Sequence, residues 1–235
     1  MRDVAIKFVQ PELLARDESR RRFLDEARAM ARVRHPNVVE VFTFGEHAGK
    51  PYFVMEYVPG ITADTWFRER IMQTGMPPPV DESLGILDQC CRGVTAIHAA
   101  GATHSDLKPG NVLLGPAFRV ALTDLGLALL LERGDFGLAA GTPAYMAPES
   151  MDTSSDPELT KRRDVYSLGV MAYEFLTGKL PYQVRHASDL SDLAEYGPPT
   201  PPSQLRADLR RAFDAVLLRA LALDPRARTP SADAF

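Results

Sequence analysis

Residues 104–111 limit the possible folds of this chain more than any other stretch, because a turn of this composition has to end one structural element and begin another. They read His-Ser-Asp-Leu-Lys-Pro-Gly-Asn, after a helical pattern and before the apolar run 112–114, so we expect a tight loop between a helix and a strand. The loop offers a carboxylate, an ammonium group and a carboxamide, which together can orient a hydroxyl, neutralise a phosphate and hold a divalent cation. The same residue types form ordinary turns, so the flanking chain decides between the two interpretations.

Composition excludes several classes of function. The 27 basic and 31 acidic residues give 27 − 31 = −4, so we expect no nucleic-acid partner. No apolar run reaches the length of a membrane span and no signal peptide opens the chain, which predicts a cytoplasmic protein without a membrane segment. The adjacent Cys90 and Cys91 lie in a helical pattern and are expected to be reduced core residues.

Hydrophobic periodicity predicts an α+β fold with two lobes. The first lobe, residues 1–57, combines a small sheet with one helix; the second, residues 61–235, is mainly helical and is incomplete at its last helix; residues 58–60 join them. A cleft between lobes is where a ligand is expected. The predicted strands are 4–9, 38–44, 52–57 and 120–124, with 45–50 as a loop, and the predicted helices are 16–34, 82–99, 164–177 and 207–223.

Both ends of the chain look cut. A strand that begins at the third or fourth residue needs a partner, and residues 231–235 resemble an N-cap and the first turn of a helix that does not continue. We therefore expect a fragment of a longer protein.

Three charged side chains stand at positions that an ordinary structural role could also explain. Lys7 lies inside an apolar strand, where it either points to solvent at the strand edge or pairs with an acid such as Glu26 on the next helix. Asp124 ends an apolar strand, as a ligand or as a plain strand end. Asp164 opens a helical pattern and could simply be its N-cap.

Four short motifs in a fixed order favour the functional interpretation. VAIK occupies 4–7, HSDLKPGN 104–111, DLG 124–126 and APE 147–149. With these motifs the chain resembles a protein kinase catalytic domain, and is most similar to the bacterial, eukaryotic-like (Hanks-type) serine/threonine kinases. The resemblance covers essentially the whole chain. It implies a bilobal protein kinase fold and transfer of the γ-phosphate of ATP, with Mg²⁺, to Ser or Thr hydroxyls of protein substrates.

The resemblance also implies a role for each motif residue. Lys7 would hold the α- and β-phosphates and pair with Glu26, while Asp106 would orient the substrate hydroxyl and accept its proton. Lys108 would neutralise the γ-phosphate, and the Thr142 hydroxyl would bridge Asp106 and Lys108. Two residues would bind Mg²⁺ through oxygen atoms, namely Asn111 and Asp124.

Further positions follow from the same resemblance. The adenine would lie among Ala5, Met55 as gatekeeper, Leu113 and the backbone of Glu56 and Val58. The hydrophobic spine between the lobes would consist of Met30, Val41, Leu125 and His104, which makes His104 a packing residue rather than a base. A buried ion pair between Glu149 and Arg228 would anchor the end of the activation segment.

The chain departs from the family pattern in three places. No glycine-rich loop precedes Lys7, Ser105 stands where most members have arginine, and residues 127–140 contain no Ser, Thr or Tyr. The arginine ordinarily pairs with a phosphate on the activation loop. Because both the acceptor and the arginine are missing, our hypothesis is that this kinase does not use activation-loop phosphorylation.

Two other functions stay open. A pseudokinase would keep the fold as a scaffold without phosphoryl transfer. The presence of Lys7, Asp106, Asn111 and Asp124 argues against it, while the missing glycine-rich loop and Ser105 keep it open. A small-molecule phosphotransferase of the aminoglycoside or choline type shares the lobes and an H-x-D loop, but those enzymes generally lack segments like 147–149 and 164–169.

Overall fold

The structure is a computed structural model that describes residues 3–9, 31–124, 143–151 and 156–235. Its strands are β1 (Val4–Phe8), β2 (Val41–His47), β3 (Lys50–Glu56), β4 (Ile61–Thr62), β5 (Val112–Leu114) and β6 (Val120–Leu122). Its helices are α1 (Ala63–Thr74), α2 (Val80–Ala99), α3 (Pro157–Thr177), α4 (Pro202–Leu205) and α5 (Ala212–Ala220). Short 3₁₀ turns connect them, among them Pro109–Asn111, Pro116–Phe118 and Pro143–Tyr145.

The first sheet has the antiparallel order β1-β3-β2. The predicted hairpin is confirmed, but the expected loop 45–50 is too long, because β2 and β3 run on to a pairing of His47 with Lys50. Only Ala48 and Gly49 remain in the turn, both at positive φ, 51° and 76°. A two-residue turn with this geometry matches the twist of the strands, which lets the pairing continue to its end.

The second sheet has the order β4-β5-β6 and lies where the chain enters the large lobe. Gly60, just before β4, has φ 146°, and a Cβ atom there would lie 2.0 Å from the carbonyl oxygen of Leu114. Only glycine allows the linker between the lobes to approach β5 this closely.

Helices α2 and α3 form the centre of the large lobe. Helix α3 is buried almost without interruption from Asp164 to Phe175, which explains why its sequence is apolar on every side. Cys90 is buried and Cys91 half-buried in α2, both as free thiols, so their prediction as core residues is confirmed. Among the described residues, no helix has both the length and the apolar character that crossing a membrane requires.

Three helix predictions need correction. Helix α3 begins at Pro157, not at residue 164, because Asp156 accepts a hydrogen bond from the Glu158 backbone as its N-cap. The charged run 156–163 hid this first part of the helix. The predicted helix 207–223 shortens to α5, and residues 31–34, the described end of the predicted helix 16–34, are not helical.

The segment 36–40 ties the two sheets together. Val39 donates its backbone N–H to Leu122, and Leu122 donates its own to Asn37, both at 2.9 Å. The Asn37 carboxamide also donates to the carbonyl oxygen of Val120 at 2.8 Å. These bonds place β6, and the acid that follows it, beside the first sheet.

Candidate active site

The loop 104–111 folds around the carboxylate of Asp106. Its Oδ2 atom accepts hydrogen bonds from Lys108 Nζ at 2.8 Å and from Asn111 Nδ2 at 2.7 Å. The Asp106 and Lys108 side chains are 17% and 20% exposed, so both are partly accessible to solvent. No described residue donates a hydrogen bond to Oδ1 of Asp106, which leaves that atom available to a ligand.

Asn111 connects this loop to β6. The Nδ2 atom of Asn111 also donates to the backbone oxygen of Asp106 at 2.8 Å. The backbone carbonyl of Asn111 accepts a hydrogen bond from the Thr123 N–H at 3.0 Å. The side-chain Oδ1 is then the atom of Asn111 that can bind a cation. Thr123 is followed directly by Asp124, so the two predicted metal ligands lie on adjoining segments.

Asp164, a buried acid on α3, fixes the backbone of the loop 104–111. Asp164, 1% exposed, accepts hydrogen bonds from the backbone N–H groups of His104 at 2.8 Å and Ser105 at 2.9 Å. His98 Nε2 lies 2.7 Å from the same carboxylate. Burial alone would raise the pKa of Asp164, but the hydrogen bonds and charge of these partners hold it below its ordinary value.

The interpretation of Asp164 as an N-cap is therefore wrong. It lies in the second turn of α3 and accepts hydrogen bonds from the loop 104–111 instead of capping the helix. The sequence did contain a signal, because an aspartate among the apolar residues of a buried helix needs a partner from another element.

His104 is buried and does not act as a base. Its side chain is fully enclosed, and burial lowers the pKa of the imidazole below its ordinary value. Its Nδ1 accepts a long 3.4 Å contact from the backbone N–H of Asp106, and Nε2 has no partner among the described residues. The neutral ring therefore packs under the loop.

Lys7 and Asp124 meet across the cleft between the two sheets. Lys7 Nζ lies 2.7 Å from Asp124 Oδ1, with side chains 40% and 26% exposed. Asp124 has φ 63°, a left-handed conformation that is unfavourable for aspartate and turns its side chain out of the strand direction. The pair brings the first and third motifs together at the catalytic loop.

Several predicted residues lie outside the described part of the chain. These are Glu26, the expected partner of Lys7, together with Thr142 and two of the four expected spine residues, Met30 and Leu125. The two described spine residues, Val41 and His104, are both buried.

The predicted adenine-binding residues come together at the linker between the sheets. Ala5 of β1 stands opposite Met55 of β3 in the register. Met55 and Leu113 pack against the buried cluster of Val39, Val58 and Ala121. The first sheet and β5 thus supply apolar surface from both sides.

The APE segment is anchored as expected. The buried guanidinium of Arg228 donates to both carboxylate oxygens of Glu149 at 2.6 and 2.7 Å and lies 4.8 Å from the Tyr166 ring centre. Sequence reasoning missed a second anchor: the Tyr145 hydroxyl donates to Glu174 at 2.5 Å, and Ser167 donates to the Tyr145 carbonyl at 2.8 Å. Burial raises the pKa of the Glu174 carboxyl, and nearby Asp64 raises it further.

Ser105 provides no positive charge at the position where the pattern expects arginine. It has φ 63°, and its hydroxyl lies 3.0 Å from that of Thr103. At position 105 itself, a phosphate would therefore meet a neutral hydroxyl where the family pattern has a guanidinium.

The donor set fits a hard divalent cation. A carboxamide oxygen of Asn111 and the carboxylate of Asp124 are oxygen ligands of the kind that Mg²⁺ prefers. The described residues contain no group of three or more His, Cys, Asp or Glu side chains that could hold a metal. Phosphate oxygens and water would have to complete the coordination, as is usual for Mg²⁺ bound with a nucleotide.

Comparisons of sequence agree with this geometry. The family described as "Protein kinase domain" matches residues 1–234. The chain is 35% identical to the serine/threonine-protein kinase Pkn1 of Myxococcus xanthus over 99% of its length and 33% of that protein. It is 34% identical to PksC of Streptomyces coelicolor, with 100% of this chain and 43% of that protein covered. The chain thus spans less than half the length of these curated relatives.

Solved structures give the same result for the fold. The kinase domain of PknI from Mycobacterium tuberculosis is 33% identical and superimposes with a TM-score of 0.74, over 97% of this chain and 80% of that domain. The predicted bilobal α+β fold is confirmed.

Proposed function

The chain belongs to the protein kinase domain family, and from this membership we propose that the protein transfers the γ-phosphate of ATP to serine or threonine hydroxyls of protein substrates, in bacterial signalling. The similar proteins Pkn1 and PksC are both named serine/threonine-protein kinases, which supports the choice of acceptor. The location we propose for this domain is the cytoplasm, where ATP and Mg²⁺ are available.

The observation that carries the proposal is the free oxygen of Asp106. Lys108 and Asn111 both bind Oδ2, so Oδ1 can accept a hydrogen bond from an incoming hydroxyl, align it and take its proton. Phosphoryl transfer requires mainly such positioning together with stabilisation of charge spread over the phosphate oxygens.

The positive charges of the site fit the phosphates of ATP. Lys108 lies beside the attacking position and would neutralise the γ-phosphate, and Lys7, now paired with Asp124, would turn to the α- and β-phosphates. Asn111 and Asp124 would hold Mg²⁺, which supplies charge neutralisation on the phosphates when bound. The apolar surface of Ala5, Met55 and Leu113, with the backbone of Glu56 and Val58, would receive the adenine; Glu26 and Thr142 keep the roles that the resemblance assigns them.

Labelled phosphate tests this proposal. The full-length natural product is incubated with γ-³²P-ATP, Mg²⁺ and a generic protein substrate, and acid hydrolysis of the protein should yield labelled phosphoserine or phosphothreonine. Chelation of Mg²⁺ should abolish the labelling. Label on an alcohol or sugar but on no protein would identify a small-molecule phosphotransferase, and nucleotide binding without any transfer would identify a pseudokinase.

The environment of Ser105 supports a regulatory proposal. The neutral hydroxyls of Ser105 and Thr103 offer no cation to a phosphate, and residues 127–140 contain no hydroxyl amino acid, so we propose that activity does not depend on activation-loop phosphorylation. Enzyme treated with a protein phosphatase should keep its activity. Activity that requires a phosphate on Thr142 would contradict this.

A further inference from the structure

Arg119, in the turn before β6, makes three hydrogen bonds to the end of β3 and to the segment 36–40. Its Nη1 and Nη2 atoms donate to the two carboxylate oxygens of Glu56, the second at 2.9 Å, and its Nε donates to the Pro36 carbonyl at 2.8 Å. All of its donor nitrogens therefore bind the segment 36–40 or the end of β3. A guanidinium that binds both oxygens of a carboxylate in this forked arrangement fixes the orientation of the carboxylate more specifically than a lysine ammonium group would.

A strained turn presents this arginine. Ala117 and Phe118 both have positive φ, 54° and 58°, although neither is glycine. The turn is closed by Gly115 N–H donating to the Arg119 carbonyl at 2.8 Å. Backbone strain of this kind persists only where the surroundings favour it, and here it places the guanidinium at the linker.

Glu56 is the residue whose backbone would meet the adenine. Its side chain is only 16% exposed, and its own N–H donates to the Glu40 carbonyl at 2.9 Å. Arg119 thus fixes the side chain while the Glu40 carbonyl fixes the main chain. Glu56 also pairs with Val4 in the first sheet, so a released carboxylate would remove one of several constraints on the orientation of the peptide units 56–58.

We propose that Arg119 is a positioning residue for the nucleotide base: by clamping Glu56 and Pro36, it holds the linker backbone in the orientation that binds adenine. This inference rests on the proposed function and extends it from the phosphates to the base. In this role Arg119 would not touch the nucleotide itself, and a partly exposed ion pair without such a role would contribute little to the binding constants.

A substitution of Arg119 could instead weaken nucleotide binding by displacing the proposed metal ligand Asp124. Arg119 directly precedes β6, and Asp124 follows that strand by two residues, so a disturbed β6 would shift Asp124. The two routes differ in ligand dependence. A fault at the linker weakens adenosine and MgATP alike, because both contain the base, whereas a fault at Asp124 weakens MgATP alone.

The experiment measures the dissociation constants of adenosine and of MgATP by calorimetry for the wild type and Arg119→Ala. We expect both constants to rise about ten-fold, which corresponds to roughly 1.4 kcal/mol. The turnover number at saturating ATP should change by less than about two-fold, because the transfer geometry is untouched. Arg119→Lys, which keeps the charge but loses the fork, should show a smaller rise in both constants.

Arg70→Ala is the matched control. Arg70 pairs with Glu82 at 2.6 Å and is 35% exposed, against 33% for Arg119, but it lies on α1 away from the linker. Its removal should leave both constants unchanged.

Three results would overturn the inference. These are unchanged constants in Arg119→Ala, a rise for MgATP alone, or an equal rise in Arg70→Ala. If Arg119→Ala does not fold by circular dichroism, Arg119→Lys carries the test, and its failure to fold would show a purely structural pair. Wild-type protein that binds neither ligand would refute the proposed function itself, which is a distinct outcome.

Discussion

The loop 104–111 and strand β1, which contains Lys7, carry equally clear motifs but are held in place differently. Buried hydrogen bonds to Asp164, a residue about 60 positions further along the chain, fix the loop at His104 and Ser105. Lys7 lies on a strand that pairs only with β3 among the described residues, and its 40% exposed side chain is directed by one ion pair. The loop is therefore part of the folded core, whereas the lysine is positioned by charge. Variants of the loop should lose stability, and variants of the lysine should lose ligand binding.

The largest expected effect is that of Asp164→Ala. The change leaves the buried His104 N–H, the partly buried Ser105 N–H and His98 without their acceptor, so the free energy of unfolding should fall by about 3–5 kcal/mol. Urea denaturation measures it. Asp156→Ala, the N-cap of the same helix, is the control and should cost only about 1 kcal/mol. Equal losses in the two variants would show that the loop is not held from α3.

Substitution in the linker between the lobes should have the next largest effect on stability. Gly60→Ala places a Cβ against the Leu114 carbonyl at a positive φ, so we expect a loss of about 2 kcal/mol and weaker nucleotide binding. Gly85→Ala, on the open face of α2, should instead add about 0.5–1 kcal/mol. Thermal unfolding of both variants checks the contrast, and a neutral Gly60→Ala would disprove the close approach.

The buried imidazole under the loop should make stability depend on pH. Burial lowers the pKa of His104 in the folded protein below the ordinary 6.5, so between these values the unfolded chain binds a proton that the folded chain does not. The stabilisation is complete above pH 6.5 and is lost as the pH falls, with a slope of at most about 1.4 kcal/mol per pH unit.

Urea denaturation between pH 5 and 8 measures this slope. His104→Phe should flatten it, leaving the part from His35, whose pKa burial also lowers. An unchanged slope in His104→Phe would show that the ring takes up a proton equally well in both states.

The smallest effect on stability is expected at Lys7. Because the pair with Asp124 is solvent-exposed, Lys7→Met should change the free energy of unfolding by less than about 0.5 kcal/mol. Binding of MgATP should nevertheless become much weaker, since the phosphates lose a cation. Urea denaturation and calorimetry on this variant test the contrast. A large loss of stability would show that Lys7, like the loop 104–111, is part of the folded core.

The sequence predicted those parts of the site that local patterns encode. Asp106, Lys108 and Asn111 lie within six residues, so one turn brings them together, and the structure does so. The pairing of Glu149 with Arg228 was predicted only through the family resemblance, because 79 residues separate them. The hairpin was evident from its alternation, while its length depended on how two turn residues tolerate positive φ.

What the sequence could not reveal are contacts made by long-range packing. The role of Asp164 required knowing that α3 begins seven residues earlier and passes under the loop. Arg119 belongs to none of the sequence motifs, and nothing in its neighbourhood indicates Glu56, 63 positions away. Both side chains are charged groups whose partners lie on other elements, and periodicity contains no information about those.

The most direct test of the account separates binding from transfer in two variants. Calorimetry with MgATP and the γ-³²P transfer assay are applied to Asp106→Asn and Lys7→Met. Because Asp106 is proposed to act on the hydroxyl and Lys7 on the nucleotide, Asp106→Asn should bind MgATP almost as the wild type does and lose at least about 100-fold in transfer rate. Lys7→Met should lose binding. Transfer at the wild-type rate by Asp106→Asn would contradict the central claim that this loop carries out the reaction.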